Sequence, residues 1–80
     1  MTLPMFGVFR CLGYLYKEGL TPKQVVLNVI ERLCEEPIPV PVPVMAVLSE
    51  IVSLVLCTSP QLISPMLGKK IETVLKGGRV

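Results

Sequence analysis

The chain has 80 residues, of which 51% are hydrophobic and only 18% are charged, and its net charge is +2. This length predicts that residues 1–80 form a single small domain or subunit. So mild a charge does not predict nucleic-acid binding by the chain on its own, because nucleic-acid-binding domains usually concentrate basic residues in a stripe.

The first predicted helix covers residues 5–18. Two glycines carry structural expectations: Gly13, within this helix, offers a place for another backbone to approach closely, and Gly19, just after it, is typical of a residue that ends a helix in the left-handed conformation. A helical wheel groups the apolar residues on one broad face, which comprises Met5, Val8, Phe9, Leu12, Leu15 and Tyr16.

The second predicted helix covers residues 22–35. Thr21, followed by Pro22 and then by Gln24, has the pattern of a capping box with proline at the first helical position. The expected buried face consists of Val25, Val26, Val29, Ile30 and Leu33.

Residues 11–34 resemble one helical hairpin of the middle domain of the eukaryotic translation-initiation scaffold called initiation factor 4 gamma. The resemblance rests on Cys11-Leu-Gly-Tyr-Leu-Tyr-Lys17 and on the helix that follows, with ungapped matches at Leu12, Gly13, Leu15, Tyr16, Lys17, Leu20, Ile30 and Leu33. It implies a HEAT-like hairpin, and none of the family's helicase or RNA contacts can be carried over to a residue of this chain. Tyr14 stands where the family has an acid.

Residues 37–43 contain four alternating prolines, which predict a stiff, extended linker. Its other residues, Ile38, Val40 and Val42, are apolar. A spacer packed against the helices is therefore favoured over a ligand for an aromatic groove.

The third predicted helix covers residues 44–57 and is apolar all round, apart from an arc formed by Ser49, Glu50 and Ser53. Such a helix is buried in a larger body, at an interface or in a membrane. Glu50 is expected to face solvent or a polar partner, with a buried ion pair to a partner as the alternative. The residues predicted to bind a partner are Val47, Ile51, Val52, Leu54 and Val55.

The last predicted helix covers residues 65–76, with Leu67, Ile71, Val74 and Leu75 on its apolar stripe. Ser64-Pro65 is expected to cap its start, and Ser59-Pro60 to open a separate single turn. The predicted fold is all-α: a small bundle of three to four helices.

The sequence has no histidine and shows neither a phosphate-binding loop nor a zinc-ligand spacing. We therefore expect no catalytic residue, no bound metal and no cofactor, and hence no enzyme. The three cysteines, Cys11, Cys34 and Cys57, do not form a disulfide framework, and no secretory signal is readable. These features predict an intracellular, reducing compartment, with the cytoplasm favoured and the mitochondrion as an alternative.

Four short helices cannot shelter so many apolar side chains, so some of them are expected to face outward. This excess predicts a non-enzymatic, helical protein-interaction module, or a small accessory subunit, that binds a protein partner or another copy of itself. The alternative is a membrane-associated accessory subunit that uses residues 38–57.

Overall fold

The computed structural model describes residues 3–36 and 40–77, with side chains from residue 7 onwards. Within these ranges the chain forms four α-helices: α1 (Leu3–Lys17), α2 (Lys23–Cys34), α3 (Val42–Thr58) and α4 (Pro65–Gly77). A short 3-10 turn, Pro60–Leu62, connects α3 to α4. The predicted all-α class is confirmed, and each helix begins and ends within two residues of its prediction.

Gly19 ends α1 as the sequence predicts. Its φ of 79° is in the left-handed region, which glycine reaches without a steric penalty. The N–H of Gly19 donates to the carbonyl of Tyr16 and the N–H of Leu20 donates to that of Leu15, at 2.9 and 2.8 Å. This pair of bonds is a Schellman motif, which satisfies carbonyls at the end of α1 and turns the chain towards α2.

The predicted capping box at the start of α2 is wrong. The helix begins one residue later than the box requires, Pro22 occupies the capping position, and no side chain caps it. Gln24 donates instead to the Oδ1 atom of Asn28 at 2.9 Å, one turn along the same helix. Thr21 is buried, so packing rather than capping determines its environment.

The predicted linker over residues 37–43 is too long, because α3 already begins at Val42. Residues 37–39 lie outside the described residues. Pro41 is extended, with a ψ of 146°, and its carbonyl accepts the N–H groups of Val44 and Met45. Pro43 fits into the first turn of α3 because the backbone N–H groups of a first turn have no partner within the helix. The N–H that proline lacks is therefore not missed there. Val40 is buried in the core, which confirms the packed position expected for this part of the linker.

Ser64 caps α4 as predicted. Its Oγ atom accepts the N–H of Leu67 at 3.2 Å, and its carbonyl accepts the N–H of Gly68 at 2.8 Å. Ser59 also precedes a helical turn, as expected, but its hydroxyl makes no capping bond. Of these two serines, only Ser64 therefore stabilises the start of a helix through its side chain.

Helix α3 is the centre of the fold and contacts each of the other helices, most extensively α1. Early residues of α1 lie beside early residues of α3 and later residues beside later ones, as the pairs Arg10–Glu50 and Gly13–Leu54 show, so these two helices run parallel. Helix α2 in turn packs against α4. The core formed in this way contains, among others, Val26, Ile30 and Leu33 of α2, Leu48 and Ile51 of α3, and Leu67 and Ile71 of α4.

Candidate docking surfaces

The five residues that the sequence predicts to bind a partner do not form one surface. Val47, Ile51 and Val55 are at most 1% exposed, because they fill the core between α3 and the other helices. In this fold they cannot contact a partner, which corrects the predicted site. Val52 and Leu54 remain half-buried. They are two residues apart, about 200° around the helix, and so lie on opposite sides of α3.

Val52 lines a groove between α3 and α4 that has a volume of about 440 Å³. Its walls are almost entirely apolar, and the side chain of Leu56, which lines it, is 50% exposed. Only the rim is charged, where Lys76 donates to Glu72 one turn away on α4. The remaining walls are formed by Ile63, Gly68, Ile71 and Leu75.

Where α4 borders the groove at Gly68, no atom of α3 lies within 4 Å of the position that a Cβ atom would take. Ile63, which follows the 3-10 turn, packs near Gly68: a Cβ atom on that glycine would lie 3.9 Å from the Cγ2 atom of Ile63. This is an ordinary van der Waals distance, so Gly68 does not create a close helix contact. The apolar sides of the two helices consequently remain apart and accessible.

Leu54 lines a second groove, between α1 and α3, with a volume of about 340 Å³. Here the two helices are in close contact, because a Cβ atom on Gly13 would lie only 3.1 Å from the Cγ1 atom of Ile51. The lining of this groove is mixed, because Ser49, Glu50 and Ser53 contribute polar groups beside Tyr14, Leu54 and Cys57. We call it the polar groove to distinguish it from the groove between α3 and α4. The sequence suggested that another backbone approaches Gly13; the structure instead places the side chains of Ile51 and Leu54 against it.

Glu50 binds within its own chain rather than to a partner. The Nε atom of Arg10 on α1 lies 2.8 Å from its Oε2 atom, and both side chains are close to half exposed. This ion pair bridges α1 and α3 at the polar groove. It accounts for the only charge in the most apolar helix without requiring a second molecule.

Helix α1 is apolar on its outer side as well as on its inner one. Val8 is 56% exposed, Leu15 is 37% exposed, and Cys11 between them is also exposed. Their spacing of i, i+3 and i+7 places them on one stripe, opposite the face that packs on α3. We call Val8, Cys11 and Leu15 the α1 stripe.

A third cleft, between α2 and α4, contains two of the basic residues from the C-terminal half of the chain. Lys69 and Lys70 line it together with Met66 and the thiol of Cys34. Burial raises the pKa of Cys34, and the nearby charge of Lys70 partly opposes that rise. Lys76 is engaged with Glu72, and Arg79 lies outside the described residues. The lysines therefore form a solvated helix face rather than a concentrated stripe.

Among the residues that the structure describes, no three histidine, cysteine or acidic side chains come together as a metal site. No helix in this part of the chain has both the length and the apolar character needed to cross a membrane. The buried side chains of α3 are those of Val44, Val47, Leu48, Ile51 and Val55.

No protein-family model, curated protein or solved structure matches this chain.

Of the residues that line the apolar groove, the sequence predicted only Val52 as a partner-binding residue. Sequence reasoning treated α3 in isolation, whereas the groove exists only because Ile63, Ile71 and Leu75 are brought beside Val52 and Leu56. A signal was present in the last helix: Leu75 lies at the edge of the stripe that also contains Leu67 and Ile71. A side chain in that position extends the apolar surface beyond the buried contact.

Proposed function

We propose that the chain is a non-enzymatic, helical protein-interaction module that binds an amphipathic helix of a protein partner in the groove between α3 and α4. The observation that carries this proposal is an open groove with apolar walls, built on two helices that anchor the core. Protein surfaces of this kind bind the apolar face of a helix through side chains spaced at i, i+3, i+4 and i+7.

The other side of α3 supports a helix as the occupant. There α1 packs against α3 along its length, so α3 already carries one helix beside it. On the groove side that position is open, and the wall from Gly68 to Leu75 is about 10 Å long, or two helical turns. A helix with two or three apolar anchors matches this length.

The packing of α1 on α3 and of α2 on α4 also supports a HEAT-like interpretation, in which two helical hairpins stack side by side. In such arrays each hairpin buries its apolar face only against its neighbours. An apolar groove at one end of a two-hairpin stack is a natural position for a further helix.

The experiment compares capture of proteins by the immobilised chain with capture by two variants. Leu56→Glu places a charge in the groove, whereas Met66→Glu places the same charge at a residue that is 72% exposed and lies outside the groove. We expect a partner that is retained by the wild type and by Met66→Glu but is lost with Leu56→Glu.

The helical segment of that partner is then titrated into the purified chain by calorimetry. We expect binding with a negative heat-capacity change, because apolar surface is buried. Capture that is equal for all three chains would contradict the proposal, and so would a partner segment that binds Leu56→Glu as tightly as the wild type.

A further inference from the structure

We propose that a helix from a second copy of this chain fills the groove, with the α1 stripe of one molecule docked between α3 and α4 of the next. This inference rests on the proposed function, since it identifies the helix that the groove accepts. It is based on the match between two surfaces of the same molecule, the α1 stripe and the groove.

The two surfaces match in shape and length. The α1 stripe is a convex ridge on one helix, and the groove is a concave channel between two. Val8, Cys11 and Leu15 repeat the i, i+3, i+7 spacing of the α4 wall formed by Gly68, Ile71 and Leu75. Each set therefore spans about 10 Å along its helix.

The two surfaces also match in charge. The only charged residue between Val8 and Leu15 is Arg10, which is engaged with Glu50 on the α3 side of the helix. At the groove, Glu72 and Lys76 neutralise each other on the rim. Docking of the stripe into the groove therefore buries no unpaired charge among these residues, which is the condition for an apolar contact to be favourable.

The stripe and the groove lie at opposite ends of the molecule. Helix α1 covers the side of α3 that carries Leu54, the groove lies on the side that carries Val52, and the stripe faces away from both. One molecule therefore cannot fill its own groove, and two molecules cannot fill both of their grooves by a two-fold symmetric contact between these surfaces. The contact is heterologous, and repetition of it produces either a closed ring or an open chain of more than two molecules.

The association is expected to be weak. Three exposed side chains on the stripe are far fewer than the roughly 20–30 residues that each partner contributes to a standard interface. The expected dissociation constant is between about 1 µM and 1 mM, so that the full chain is a monomer when dilute and associates progressively when concentrated.

Sedimentation velocity of the full chain under reducing conditions tests the inference, with the reductant preventing disulfides through the exposed Cys11 and Cys57. Val8→Glu disables the stripe and Leu56→Glu disables the groove. We expect the average mass of the wild type and of Met66→Glu to rise with concentration beyond that of a dimer. Each of the other two variants alone is expected to remain monomeric.

The decisive sample is an equal mixture of Val8→Glu and Leu56→Glu. One variant retains an intact groove and the other an intact stripe, so together they restore a single junction. We expect a species of two chains that grows no further. A mixture that stays monomeric, or a wild type that stays monomeric at every concentration, would overturn the inference.

Circular dichroism establishes that each variant is folded. If Val8→Glu is not folded, Leu15→Glu replaces it, and if Leu56→Glu is not folded, Leu56→Lys replaces it.

The experiments distinguish failure of this inference from failure of the proposed function. A wild type that never self-associates, but whose groove still binds a foreign helix, leaves the proposed function intact. Self-association that is lost in Leu56→Glu, without any effect of this variant on partner capture, contradicts the proposed function alone.

Discussion

The two sides of α3 differ in how they are covered, although the same helix supplies both. On one side α1 approaches closely at Gly13, and the exposed ion pair between Arg10 and Glu50 lies beside a groove whose lining is partly polar. On the other side α4 stays further away, and the groove between the two helices is apolar and open. The missing Cβ atom of Gly13 thus allows α1 to contact α3 closely. Gly68 of α4, in contrast, lies near Ile63 and makes no such contact with α3.

The contrast between the two sides of α3 indicates that the apolar excess of the sequence is not spread evenly over the surface. Part of it fills the core, part remains on the α1 stripe and in the groove, and single exposed side chains such as Leu20, Val42 and Met66 lie outside both surfaces. Scattered apolar residues on a surface need no explanation, but a continuous apolar groove indicates binding.

The largest expected effect is a difference in the free energy of unfolding between substitutions on the core side of α3 and on its groove side. Ile51→Ala should lower the free energy of unfolding by about 2–5 kcal/mol, because it leaves a cavity at a side chain that is 1% exposed. Leu56→Ala, at a half-exposed position of the same helix, should lower it by no more than about 1 kcal/mol. Urea denaturation measures both values, and equal losses would show that the groove is part of the core.

The second prediction uses the glycines on either side of α3. Gly13→Val should destabilise the fold by about 1–3 kcal/mol, because the added atoms collide with Ile51. Gly68→Ala should stabilise it by about 0.5–1 kcal/mol, since alanine is favoured over glycine within a helix and the space for its Cβ atom is present.

Gly7→Ala is the control for this pair, because no heavy atom lies within 4 Å of the added Cβ atom. It should stabilise the fold about as much as Gly68→Ala does. A stabilising Gly13→Val would show that α1 and α3 are not in close contact.

A smaller effect is expected at the polar groove. A double-mutant cycle with Arg10→Ala and Glu50→Ala should give a coupling energy of about 0.2–1 kcal/mol, the range for exposed ion pairs. The coupling should decrease as salt is added, because both side chains are close to half exposed. A coupling that is insensitive to salt would contradict the exposed position of this pair.

The smallest effect concerns the rim of the apolar groove. The hydrogen bond and the charge from Lys76 lower the pKa of Glu72. Because the pKa is lower in the folded state, the pair's slight stabilisation is present above the ordinary glutamate pKa of about 4.3 and is lost as the pH falls through the lowered value. NMR titration should show the pKa of Glu72 returning to its ordinary value in Lys76→Ala.

The helices and most of the core were predictable from the sequence, because they depend on local periodicity and on a few strong signals. Gly19 ends α1 and Ser64 caps the start of α4, as expected. The start of α2 was not predicted correctly, since Thr21 matches a capping pattern but is buried. The prolines near Pro43 were assigned wholly to a linker, although the first turn of a helix accepts proline without loss.

The candidate site was predictable only in part, for a physical reason. Periodicity shows that α3 is apolar on every side, but it does not show which sides the other helices cover. Ile51 and Val55 became core, and Leu54 became the edge of a polar groove. The open surface was set by the position of α4 relative to α3, which depends on contacts between residues distant in the sequence.

The difference between the two grooves can be observed by NMR with two complementary variants. Isotope-labelled Val8→Glu chain, which has an open groove, is titrated with unlabelled Leu56→Glu chain, which offers an intact α1 stripe. The account predicts that methyl resonances of Val52, Ile71 and Leu75 shift while those of Leu54 stay unchanged. Shifts at Leu54, or no shifts at the groove, would contradict it.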